Sequence, residues 1–325
     1  MSVFVAILSR LAKAALTLLA IAVLNFCLLH AAPGDPAVVL AGEAGAADEQ
    51  MIAQLRERFG LDQPFYIQLA KYVGGVAQLD LGYSFRQNAP VIDLIAERLP
   101  ATLLLTLTAF VISLVLGIAL GVAAAARVGK PQDSLLTTLA LLFYATPLYW
   151  AALMAVLVFS VWLGWLPGFG YETVGADYTG LARVIDILKH LILPALTLGL
   201  FFMAVYMRMT RASMLEVSTA DFVKTAKAKG LSGRVIRRRH ILRNAILPVV
   251  TLAGLQAGQL VGGAVLTETV FAWPGIGRLM FESLAARDYN TILGVFLVSA
   301  AMVILFNIVT DIVYRLVDPR IGARA

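Results

Sequence analysis

"DFVKTAKAKGLSGRVIRRRHILRNAILP", residues 221–248, is the densest run of charge in the chain. It lies between two stretches apolar enough to cross a bilayer, roughly His190–Met209 and Ala245–Val270. A cationic loop between apolar segments marks the cytoplasmic side of a membrane protein. The loop also has helical grammar. Ser218 is placed to cap a helix, with Asp221 three residues on as its reciprocal partner. Phe222, Ala226 and Leu231 are apolar, Lys224, Lys227 and Lys229 are not, and Gly230 breaks the pattern. A second start at Ser232 leads through Arg234, Arg237, Arg238 and Arg239 to Asn244 and the kink-prone Pro248. Cations near span ends fix topology and sit among anionic head groups, which accounts for much of the Arg237–Arg243 cluster. An anchor needs no short helix, no glycine bend and no exposed apolar edge. Those suit insertion into a partner's groove.

Composition agrees with a lipid-embedded chain. Of 325 residues 60% are apolar and 14% charged, with a mean hydropathy of +0.84. Soluble domains hold about 45–50% apolar and about 25% charged residues, so part of the solvent here is lipid. A bilayer core needs about 20 apolar residues as helix, because lipid offers backbone groups no partner. Six such stretches are legible: Leu11–Ala31, Pro100–Ala124, Leu135–Val158, His190–Met209, Ala245–Val270 and Thr291–Tyr314. The expected fold is therefore an all-α integral membrane protein. It has an extracytoplasmic segment after the first span and a cytoplasmic loop between the fourth and fifth. Arg10 and Lys13 followed by an apolar run and "LHAAPG" also fit a secretory signal, but the run is long and further spans follow, which favours a retained helix.

Orientation follows the positive charge. With the N-terminus inside, the inner segments hold 17 Lys and Arg and 5 acids, and the outer segments hold 9 and 15. Both termini are therefore expected in the cytoplasm. The net charge of +6 reflects this bias rather than nucleic-acid binding. One cysteine, Cys27, excludes an internal disulfide, and three scattered histidines offer no metal-ligand spacing, so no metal or cofactor is expected. In the outer segment, "DEQMIAQLRERFG" (residues 48–60) reads as an amphipathic helix, either a cap on the helix ends or a docking platform.

These residues resemble a known family. "KTAKAKGLS" followed by "HILRNAILPVV" is similar to the coupling (EAA) loop of ABC importer permeases. The loop, residues 211–248, lacks the usual Glu and has a long gap to Leu247–Pro248, as in the dipeptide, oligopeptide and nickel branch (the DppB/OppB type). "APGDPA", "FGLDQPFYIQLAKYV", "LDLGYSF", "ERLPATLLL", "ETVFAWPGIGRL", "RDYNTILG" and "DPRI" follow in the order of that branch. Three positions depart from it: Leu69 replaces a tyrosine, Leu79 a glycine and Asn290 a proline. The resemblance implies an N-terminal helix and outer segment (residues 1–99), a transmembrane domain (100–316) and a cytoplasmic tail (317–325) in a bacterial inner membrane. It implies a second homologous permease, two ABC ATPases and an extracytoplasmic solute-binding protein as partners, besides membrane lipid and without nucleic acid.

No GxxxxGK[ST] occurs. At Gly129–Lys130 the upstream position is Ala124, so the chain is expected to be a transport subunit rather than an enzyme. The residues expected to meet the ATPase are Phe222, Lys224, Thr225, Ala226, Lys227, Gly230 and Leu231. Polar side chains in a membrane face the bundle interior, which makes Gln256, Gln259 and Asn307 pathway candidates. Gly254, Gly258 and Gly262 suit close packing. Asp311 and Arg315 suit a structural pair. Trp273, Pro274 and Gly275 read as an outer gate or, equally, an interfacial anchor. An intramembrane enzyme would need a G-x-S-x-G or H-E-x-x-H motif, and neither is present. A partner-independent transporter would need no docking loop. Short peptides are the expected cargo, with nickel chelates, glutathione-like peptides, opines and some sugars as alternatives.

Overall fold

A computed structural model describes residues 3–31, 49, 53, 62–84 and 86–317. The helix expected over residues 48–60 lies outside them apart from two isolated positions, and so does "DPRI". The described chain is almost wholly helical. Four helices are long and apolar enough to cross a membrane, and a bent pair makes a fifth candidate. The protein is multi-pass. It divides into two compact units, Met1–Arg98 with Leu279–Ala301 and Leu99–Arg278 with Met302–Ala325.

In the smaller unit, α1 (Val3–Ala31) meets α2 (Phe65–Ala77) through an aromatic cluster. Phe26 lies 5.3 Å from Phe65 and 5.5 Å from Tyr72, ring centre to ring centre. The apolar part of α1, Ala12–Leu28, is shorter than the other spans. A two-stranded ribbon, β1 (Tyr83–Ser84) against β2 (Ala89–Pro90), leads into α3 (Val91–Ala125). Buried Asp288 accepts the hydroxyls of Ser84 and Thr291 at the start of α10 (Tyr289–Val317). The departures from the family pattern have local consequences. The Asn290 amide donates to the Tyr83 carbonyl at 3.0 Å, a contact proline lacks. Leu79 is held at φ 63° with its side chain exposed. A left-handed backbone costs an L-residue about 1–2 kcal/mol, which explains why glycine suits that position.

The larger unit is built around α6 (Gly180–Ser218). In its most apolar window 72% of residues are buried, against 28% in α3, so α6 is the central helix. Two glycines four residues apart on α3 let it approach. A Cβ at Gly121 would lie 2.6 Å from Thr210 Cβ and 2.7 Å from the Met207 carbonyl, and one at Gly117 would lie 2.9 Å from the Met203 carbonyl. Such small-residue stripes drive helix association in lipid. The expected third span is not one rod. It is α4 (Pro131–Ala145) and α5 (Leu148–Ala155), with π-helical Val156–Trp162 beyond, and the two arms bend by 101°. Pro147 is the cause. It has no N–H to donate and forces Thr146 into extended backbone (ψ 129°). Asp133 at the start of α4 is joined to Arg211 of α6 by two bonds, at 2.7 and 2.8 Å. After α6 come α7 (Asp221–Ala228), a turn at Gly233–Val235, π-helical Ile236–Ile241, α8 (Leu242–Val270) and α9 (Ile276–Ala286).

Two measurements check this packing. Leu79→Gly is expected to raise the thermal stability of the detergent-solubilised protein by about 0.5–1 kcal/mol, the strain relieved less the flexibility gained. Gly121→Ala is expected to lower it by about 1–3 kcal/mol. By contrast Gly262→Ala, with nothing within 4 Å of an added Cβ, should leave it unchanged or raised.

Candidate functional site

The loop after α6 forms by a different route from the expected one. Ser218 does not cap α7. It ends α6, and its hydroxyl donates back to the Leu215 carbonyl at 2.7 Å. The α7 cap is Ala220 in extended backbone, and Asp221 instead pairs with Lys224 at 2.8 Å on the exposed surface. At the other end Gly230 adopts φ 76°. Its N–H bonds to the Lys227 carbonyl and that of Leu231 to the Ala226 carbonyl, the paired bonds of a left-handed helix stop.

The apolar edge is also arranged differently. Val223 (0% exposed) and Ala226 (4%) face inward. They form a small core with Met214 of α6, Ile236, Ile241 and Ala245. Ala226, expected on the partner-facing side, is therefore turned away from it. Phe222, Lys224, Thr225, Lys227, Gly230 and Leu231 are exposed. The reason is geometric. Residues three or four apart share a helix face, and it is the i,i+3 pair Val223–Ala226 that closes over the ends of α6 and α8. Val223 is the residue sequence reasoning missed, although its spacing to Ala226 was visible.

The basic stretch beyond is wound as π-helix. Ile236 and Ile241 are both buried, while Arg237, Arg238 and Arg239 are exposed. Residues five apart diverge by about 140° on an α-helix of 3.6 residues per turn. The wider i→i+5 turn brings both isoleucines to one core and leaves three consecutive arginines outside, an unusual winding frequent at functional sites.

The described pathway candidates differ in exposure. Gln256 is half-buried, with its Oε1 enclosed and without a hydrogen-bond partner. Asn307 is exposed, and the side chain of Gln259 lies outside the described residues, as do those of Asp311 and Arg315. Gly254 and Gly258 pack α8 against Thr310 and Val303 of α10, whereas Gly262 faces open space. A cavity of about 240 Å³ between α3, α8 and α10 is lined by residues such as Phe110, Ala253 and Phe306 and, among the described side chains, by neither Gln256 nor Asn307. The hydroxyls of its Thr106 and Thr310 turn back onto their own helices, so its wall is apolar.

The segment after α8 is packed into the protein. Trp273 is 0% exposed. Its Nε1–H donates to the Ala101 carbonyl at 2.9 Å, and its ring meets Tyr171 edge-on at 4.8 Å. The interfacial-anchor reading is thereby corrected: the indole has a protein acceptor and needs no head group. Pro274 is half-buried and Gly275 buried, and any side chain at Gly275 would collide with the Glu268 carboxylate. Glu268 is itself fully buried, accepting from the Thr102 hydroxyl at 2.7 Å and the Arg278 N–H at 3.0 Å.

The described chain is thus a multi-pass bundle with a short helix, α7, folded against the ends of α6 and α8. Residues 117–323 match the family described as "Binding-protein-dependent transport system inner membrane component", and residues 3–106 match its N-terminal counterpart. The chain belongs to this family. It is 41% identical over 332 residues to the "Dipeptide transport system permease protein DppB" of Escherichia coli, covering 97% of this chain and 98% of the relative. It is 40% identical over 318 residues to the protein of that name in Alkalihalophilus pseudofirmus (94% and 95%). It is 41% identical over 321 residues to the "Di/tripeptide transport system permease protein DppB" of Pseudomonas aeruginosa (94% and 95%). The fold resembles a chain of the MetNI methionine ABC transporter in inward-facing conformations, with TM-score 0.56 and 18% identity, covering 69% of this chain and 96% of that one.

The loop geometry makes a prediction. Val223→Asp places an unpaired charge in the small core and should abolish hydrogen-exchange protection over residues 221–228. Phe222→Ala, on the exposed side, should leave that protection unchanged.

Proposed function

We propose that this chain is a permease subunit of an ATP-driven importer and forms half of the transmembrane pathway for short peptides. It pairs with a second homologous permease. Two ABC ATPases supply the energy, and an extracytoplasmic solute-binding protein delivers the cargo. The chain crosses the inner membrane six times, α1 and the bent α4–α5 pair each counting as one crossing, with both termini cytoplasmic. Peptide cargo is supported by the near full-length likeness to relatives named for dipeptide and tripeptide transport. The same assembly carrying nickel chelates, glutathione or opines is the alternative cargo.

One observation carries the mechanism: the two-faced helix α7. Its inner face is fastened to α6 and α8 by Val223 and Ala226, while Phe222 and Leu231 stand exposed among Lys224, Thr225 and Lys227. The exposed face is the handle a motor subunit grips, and the fastened face carries that displacement into the bundle. Gly230 holds the end of the handle in a backbone conformation that other residues adopt at a cost. ATP-driven closure of the motors then changes which side of the bundle is open, a rigid-body transition between two packed arrangements. Gln256, Gln259 and Asn307 remain the pathway candidates, and Trp273, Pro274 and Gly275 the candidates for an outer gate.

The test is reconstitution. Proteoliposomes holding this chain, its companion permease, both ATPases and the binding protein are expected to accumulate radiolabelled dipeptides only with ATP inside the motor compartment. Uptake by this polypeptide alone, without nucleotide, overturns the reading. Gly230→Asp and Phe222→Asp are expected to reach the membrane in parent-like amounts yet lower uptake by roughly tenfold or more, a loss of about 1.4 kcal/mol or more of coupling.

A further inference from the structure

The outer turn contains a contact that nothing in the transport reading assigns. Helix α8 is continuous, with Pro248 near its start, and its two ends do different things. Its inner end, at Ala245, shares the small core of Val223 and Ala226. Its outer end carries Glu268, fully enclosed. One oxygen of that carboxylate accepts the Thr102 hydroxyl of α3, and the other accepts the Arg278 N–H in the first turn of α9. Thr102 Oγ1 in turn accepts the Ile276 N–H at 2.8 Å. Two of the four orphan donors at the α9 N-terminus are thus satisfied by side chains from α8 and α3, and the carboxylate lies where a helix dipole favours negative charge. The Trp273 indole bonds to Ala101 beside Thr102, and the Arg278 guanidinium bonds to the Ala272 carbonyl at 2.7 Å. At Gly275 and Gly277 the backbone comes so close that a Cβ would strike Glu268.

We propose that Glu268 and Thr102 are positioning residues that lock the outer end of α8, the Ala272–Gly275 turn and the first turn of α9 onto α3. A displacement entering α8 at its inner end then reaches the extracytoplasmic side undiminished. The proposal rests on the importer reading. A buried polar triad makes a stiffer joint than an apolar contact, because slippage would leave a carboxylate and two backbone donors without partners. An apolar joint could slide by a fraction of an ångström at little cost. This joint holds one geometry until it breaks.

The experiment uses the complete complex in proteoliposomes with radiolabelled dipeptides as the probe. Its readout is ATP hydrolysed per dipeptide transported, at matched amounts of assembled complex. Thr102→Val removes the hydroxyl that serves both helices and is expected to raise that ratio roughly tenfold or more. Thr102→Ser keeps the hydroxyl and is expected to match the parent. Glu268→Gln, isosteric but neutral, is expected to raise the ratio as well. A parent-like ratio in Thr102→Val overturns the proposal. Failure of both Thr102→Val and Glu268→Gln to assemble also overturns it, since the contact would then serve folding alone. Failure of the parent complex to transport is a separate result that defeats the importer reading instead.

Discussion

The larger unit depends on the close contact between α3 and α6. In lipid no hydrophobic force draws helices together, so association rests on van der Waals packing and on how near two backbones can come. Gly117 and Gly121 remove the side chains that would hold α3 away, and the ridge of Met203, Tyr206, Met207 and Thr210 fills the space. Gly199 on α6 repeats the arrangement nearer the other end, against Ala109 and Ile112 of α3. With α3 seated, α6 becomes the most enclosed helix of the unit, α4, α5 and α8 take their places against it, and α7 meets its end at Met214.

Charged groups are placed with the same economy. A buried carboxylate is costly unless it is hydrogen-bonded or paired. Asp133 is held by the Arg211 guanidinium in a bidentate fork. Asp186 receives the Thr173 N–H and hydroxyl, at 2.6 and 2.8 Å. Glu268 receives a hydroxyl and a backbone N–H. Each carboxylate also ties together parts of the chain that are separate in sequence. These groups therefore orient the helices, where an all-apolar core would fix only their proximity.

The loop after α6 shows how packing divides one short helix into two faces. Its spacing allowed an apolar edge of Phe222, Ala226 and Leu231, but the closing of α7 over α6 and α8 selected Val223 and Ala226 as the inner face. Phe222 and Leu231 are exposed, with no described residue covering them. The π winding over Ile236–Ile241 follows from the same requirement, since two isoleucines five residues apart must reach one core. Neither outcome is visible in hydropathy, which records how apolar a residue is and not which neighbour receives it.

By itself the sequence determined that this chain lives in a membrane, where its long apolar stretches lie, and that residues 221–248 form a charged helical interruption. Those properties are local: lipid demands long apolar helices, and charge bias is countable along the chain. The family resemblance marked position 79 as one where glycine is usual, and the left-handed backbone there gives the reason. Tertiary structure alone decided that Pro147 bends a span by 101°, that Trp273 is sealed against Ala101 instead of lying at a lipid interface, and that Ala226 faces inward. It alone brought Glu268 to Thr102, 166 residues away in the chain. The difference is one of range: the solvent around a segment is set by that segment, whereas the partner of a buried polar group is set by whichever helix arrives beside it.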